Sequence, residues 1–128
     1  MTESDFKAML RRRIRQFAYI QSMSSYATNG TPDLWISGPK NDLWLEVKVA
    51  TKYIGSKPLK AALSPLQRVW LDGRHAEGRN CAVITGITNE RAILLLDGAW
   101  TMPSGNIVPL ADAIEKIKVI VCGASTTK

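Results

Sequence analysis

The chain has 128 residues with a formal net charge of +6, 45% hydrophobic and 22% charged residues. That is one domain's worth of ordinary globular composition, which excludes wholesale disorder, and no apolar run approaches a membrane span. The opening MTESDFKAMLRRR lacks the apolar core of a signal peptide, and Cys81 and Cys122 each sit in an apolar run. Those features predict a cytoplasmic protein with reduced thiols rather than a disulfide.

Taken in chain order, TESDFKAMLRRRIRQFAYI predicts a helix, since Phe6, Leu10, Ile14 and Phe17 recur at helical spacing. Thr2 is placed to cap it, and Glu3 and Asp5 fall in the first turn, where the helix dipole favours negative charge. Residues 20–27 read as a strand, TNGTP as a turn, and residues 33–37 and 43–49 as two further strands. TKYIGSKPLKAAL, residues 51–63, reads as a mobile loop. Ser64-Pro65-Leu66-Gln67 is a capping-box signature for a second helix that runs to about Ala76. CAVITGI and RAILLLD are aliphatic strands, PLADAIEKI a short helix, and KVIVC a last strand or extended tail. The order predicts a mixed α/β domain with a central sheet, spanning residues 1–122, with 123–128 as a flexible tail.

The hairpin at 33–48 carries the chemistry. If Ser37 and Asp42 close the turn, Trp35 opposes Trp44 and Asp33 opposes Glu46. Alternation then puts Leu34, Ile36, Leu43, Leu45 and Val47 on one aliphatic face, and Asp33, Trp35, Trp44, Glu46 and Lys48 on the other. Slipping the register by one residue would destroy the apolar face. Opposed carboxylates about 5 Å apart at Cβ repel, so something must offset the charge. A divalent cation does so, and Mg²⁺ suits two carboxylates supplemented by the Val47 carbonyl, water and phosphate oxygens. Such an ion activates a water, and Lys48 beside it can neutralise charge building on a phosphate. The alternative is a structural Asp33/Glu46/Lys48 ion cluster without metal.

The charge distribution points the same way. Residues 1–79 hold 13 Lys/Arg against 7 Asp/Glu, whereas residues 80–128 hold 4 against 4. A one-sided basic field suits a polyanion such as DNA, although a solvated surface has the same composition. Arg11 and Arg15 share a helix face and are candidate phosphate contacts, as are Lys52, Lys57 and Lys60 on the loop. The single histidine, His75, reads as a surface residue, and Trp70 as core. The chain has no GxxxxGK[ST] loop, zinc spacing or glycine-rich dinucleotide fingerprint.

GTPD, followed by LEVK twelve residues after the aspartate, resembles the PD-(D/E)XK nuclease signature. Together with Ser64-Pro65-Leu66-Gln67 it is similar to the VRR-NUC branch, found alone in phages and fused to repair proteins. The resemblance spans residues 1 to about 97. It implies a restriction-endonuclease-like αβββαβ core and Mg²⁺-dependent (or Mn²⁺-dependent) cleavage of DNA phosphodiesters. Asp33 and Glu46 would be metal ligands, Lys48 the catalytic lysine, and Gln67 a neighbour of the reacting centre. Such nucleases add an acid from the first helix, for which Glu3 is the best match and Asp5 the second. Stand-alone relatives, like Holliday-junction resolvases, tend to be homodimers acting on branched DNA, in a host cell's cytoplasm if phage-encoded. Two other readings stay open: a DNA-binding module that keeps the fold without catalysis, and a metal-independent interaction protein.

Overall fold

A computed structural model describes residues 1–23, 29–50, 63–96, 98–101 and 106–123. Helix α1 spans Glu3–Ile14 and is followed by strands β1 (Tyr19–Ser22), β2 (Leu34–Ser37) and β3 (Asp42–Val49). Helix α2 (Pro65–Ala76) leads to β4 (Cys81–Gly86) and β5 (Arg91–Leu96). A 3₁₀ turn at Ala99–Thr101, a short β6 (Ile107–Pro109) and α3 (Leu110–Cys122) complete the order. The six strands form one sheet in sequential order. All neighbours are antiparallel except β3 and β4, which run parallel because α2 carries the chain across between them. The predicted α/β class holds.

The hairpin register is the one the aliphatic face demands: Leu34 pairs with Leu45, Trp35 with Trp44, Ile36 with Leu43 and Ser37 with Asp42. Leu34, Ile36, Leu43, Leu45 and Val47 are fully buried, in a core shared with Phe6, Leu10 and Ile14 of α1 and Ile117 and Val121 of α3. On the opposite face a second core forms around Leu71 of α2, with Cys81, Val83, Ile93, Leu95 and Trp100. Strand β4 is buried along its whole length because helices cover both of its faces.

Three expectations need correction. Helix α1 stops at Ile14, so Phe17 lies in the following turn, where the Phe17 and Ala18 N–H groups donate to the Ile14 carbonyl. Strand β1 is Tyr19–Ser22, shorter than 20–27, and residues 24–28 lie outside the described residues. KVIVC is neither a strand nor a tail, but the last third of α3. Its β-branched residues favour strands, yet Leu110, Ala113, Ile114, Ile117 and Val121 bury a helical stripe, and burial overrides the propensity. Cys122 is therefore helical, and both cysteines are free thiols. Of the expected tail, 123–128, Gly123 is the cap of α3, its N–H donating to the Val119 carbonyl, and residues 124–128 lie outside the described residues.

The β2–β3 turn closes the C-terminal end of α3. The Lys40 and Asn41 N–H groups donate to the Val121 carbonyl at 2.9 and 3.1 Å, and the Asn41 amide to the Ile120 carbonyl at 3.0 Å. These bonds satisfy carbonyls that a helix end leaves orphaned. The approach is so close that a Cβ on Gly38 would overlap the Val121 backbone. Gly38→Ala is accordingly expected to cost about 1–3 kcal/mol, read as a lower Tm in a thermal melt. Gly73→Ala, in mid-α2 with open space around its Cα, is expected to raise stability by about 0.5–1 kcal/mol.

Candidate active site

Asp33 ends the turn that enters β2. Gly30 in that turn has φ +79, and a Cβ there would overlap the Leu66 carbonyl at the start of α2. The GTPD turn therefore lies directly against the first turn of α2, which only glycine permits. This contact brings Asp33 and Gln67 into one neighbourhood although 34 positions separate them.

Four side chains from the hairpin and α2 meet in a single hydrogen-bonded group. The Lys48 ammonium donates to Gln67 Oε1 at 3.0 Å and lies 3.3 Å from Glu46 Oε2. Gln67 Nε2 donates to Glu46 Oε2 at 3.0 Å. The Asp33 carboxylate accepts the Val47 N–H at 2.9 Å through Oδ2. The capping role of Gln67 and its site role coexist, because Gln67 Oε1 also accepts the Ser64 N–H at 3.0 Å. The capping box locks the amide in place, and the amide in turn orients Lys48 and Glu46.

Glu46 is only 2% exposed. Burial and then the neighbouring Asp33 charge push its carboxyl up to about 8, against the opposing pull of Lys48. The two acids disfavour each other's ionisation, although Lys48 lies beside one and Lys7 beside the other. Both groups offer hard oxygens, and the bonds above to Gln67 and Lys48 fall on Glu46 Oε2, not on Oε1. Among the described residues no three His, Cys, Asp or Glu side chains converge on a metal position. A pair of carboxylates completed by backbone, water or phosphate oxygens suits Mg²⁺, which dehydrates reluctantly. The residues present fit that ion.

Lys7 was not among the predicted residues, yet its ammonium lies 2.9 Å from Asp33 Oδ1 and 3.5 Å from Glu3 Oε1. Burial works against its charge, but Asp33 and Glu3 outweigh burial and raise its pKa. Its signal was present in the sequence: Lys7, Arg11 and Arg15 recur every four residues and so form one stripe along α1. Arg11 is half-buried, and Arg15 is the exposed cap residue. Glu3 reaches Asp33 only through Lys7, and Asp5 is engaged in the Thr2 capping box. The Val47 side chain is core, leaving its backbone at the site. Lys52, Lys57 and Lys60 lie outside the described residues. His75 is half-buried and edge-on to Trp100, away from the cluster.

The chain matches the structure of Archaeoglobus fulgidus Hjc, a Holliday junction resolvase from an archaeal hyperthermophile, with a TM-score of 0.58 and 12% identity. The match covers 90% of this chain and 98% of that one. The fold is similar to a resolvase fold. No family model and no curated protein matches by sequence. At 12% identity the likeness is one of architecture: six strands in a mixed sheet with helices on both faces. No described helix is long and apolar enough to cross a membrane.

Proposed function

We propose that the protein is a PD-(D/E)XK-type, VRR-NUC-like endodeoxyribonuclease that hydrolyses phosphodiesters in branched DNA. The observation that carries this reading is the Asp33/Glu46/Lys48/Gln67 group, in which a buried acid of raised pKa shares its hydrogen bonds with a lysine and a fixed amide. Asp33 sets a second acid beside the buried one and helps raise its pKa, a repulsion that a bound divalent cation would offset. The resolvase-like fold supports the branched substrate, and a homodimer accords with the two-fold character of a junction.

Asp33 and Glu46, with the Val47 carbonyl, would hold Mg²⁺ (or Mn²⁺), whose chemistry there is to activate a water and offset phosphate charge. Lys48 neutralises charge that develops on the phosphate, at a position Gln67 holds. Lys7 fixes the Asp33 carboxylate, with Glu3 behind it as the first helix's acid. Arg11 and Arg15 continue that stripe as phosphate contacts, and Lys52, Lys57 and Lys60 would add to them.

The test is cleavage of a four-way junction and of a linear duplex in Mg²⁺. The wild type is expected to cut the junction, and Asp33→Ala to cut neither. Equal rates for wild type and Asp33→Ala would end the reading.

A further inference from the structure

A groove of about 720 Å³ opens on the same sheet face as the candidate site. Trp44 and Trp70 line it, with Lys40, Arg74, Arg79 and Asn80 at its margins. Trp44 stands two residues from Glu46 on one face of β3, so the groove begins about 7 Å along the strand from the acid. The rings form a row. Tyr19 meets Trp35 at 5.7 Å, Trp35 stacks on Trp44 at 6.0 Å and 24°, and Trp44 meets Trp70 edge-on at 5.3 Å. Tyr19 is 58% exposed, and the three tryptophans are half-open to solvent.

Cross-strand pairing explains why Trp35 and Trp44 stack, but not why the row stays half-open and is rimmed by cations. One acid, Asp42, also lines the groove, where its carboxylate is held by Trp35 Nε1 at 3.0 Å and Ser37 Oγ at 2.7 Å, and Glu77 pairs with Arg74 at 3.0 Å. Arg74 also lies over the Trp70 ring at 5.5 Å, while Lys40 and Arg79 are exposed and make no ion pair among the described residues. Half-open aromatic rings beside two cations with no ion pair among the described residues, Lys40 and Arg79, are the parts that bind single-stranded nucleic acid, bases on rings and phosphates on cations.

We propose that the Trp44–Trp70 groove holds an unpaired base of a single-stranded DNA segment adjoining the cleaved phosphate, with Lys40 and Arg79 on the flanking phosphates. The identity of this occupant rests on the nuclease reading above. It makes the substrate a duplex with an unpaired arm or branch point rather than a continuous helix.

The test needs no cleavage. In EDTA, fluorescein-labelled oligo(dT) of about 12 nucleotides and a blunt duplex of matching length are titrated into the full chain. Anisotropy and tryptophan emission are followed. Oligo(dT) is expected to bind and to quench tryptophan. Lys40→Glu/Arg79→Glu should weaken that binding at least tenfold and flatten its salt dependence by about 0.7 in log–log slope for each phosphate no longer neutralised. Trp44→Phe should remove much of the quenching. Unchanged oligo(dT) affinity in the charge-reversed variant, or binding without quenching, would overturn the proposal. A protein that cuts junctions yet ignores oligo(dT) would leave the nuclease reading intact and sink the groove alone; one that binds oligo(dT) through the groove yet never cuts would do the reverse.

Discussion

Lys48→Ala is expected to lower junction cleavage in Mg²⁺ by about 10²–10³-fold while leaving a folded protein. The ammonium is placed by Gln67 Oε1 and Glu46 Oε2, so its position is set before substrate arrives. Preorganised charge of this kind needs no rearrangement when a phosphate gains charge, which is why its removal costs rate rather than affinity. The fold should survive because Glu46 is already inclined to its neutral form. Losing the neighbouring cation strengthens that inclination instead of stranding a buried anion. Gln67→Ala should be milder in rate, about 10–100-fold, and harsher in stability, by about 1 kcal/mol, since it also breaks the α2 capping box. Circular dichroism melts beside single-turnover cleavage rates separate the two effects. Wild-type rates in Lys48→Ala would rule out its catalytic role.

The second large effect concerns stability without metal. A folded-state carboxyl raised to about 8 from an ordinary 4.5 takes up a proton on folding throughout that window. Stability contributed by the neutral acid is therefore complete below about pH 4.5 and lost as pH rises towards 8, at up to about 1.4 kcal/mol per pH unit. In EDTA the denaturation midpoint should fall from pH 5 to pH 8, by an amount that solvent relaxation reduces below the full product. Glu46→Gln should flatten this profile and be the more stable protein at pH 8. Added Mg²⁺ should restore wild type at pH 8 through mass action, about 2.7 kcal/mol at a hundred times Kd, and leave Glu46→Gln little changed. Parallel profiles for the two proteins in EDTA would show that Glu46 is ionised in the fold, and that the two acids do not compete for one charge.

Much of the site was legible in the chain itself, because a β-hairpin is a local object. Its turn length and two-residue alternation leave one register that buries Leu34, Ile36, Leu43, Leu45 and Val47, and that register puts Asp33, Glu46 and Lys48 on the other face. The α2 cap was equally local, since Ser64 and Gln67 are one helical turn apart.

What the tertiary structure alone decided involves partners distant in sequence. Lys7 meets Asp33 because α1 packs across β3, and nothing in a four-residue charge stripe says which acid it will reach. Gly30 reads as a turn residue until α2 is seen lying against it. KVIVC has the β-branched composition of a strand, and becomes helix because its apolar stripe finds the sheet and its last carbonyls find the β2–β3 turn. Local propensities differ by tenths of a kcal/mol per residue, whereas burying a side chain such as Val121 is worth about 1.5–3 kcal/mol, so packing chose wherever the two disagreed.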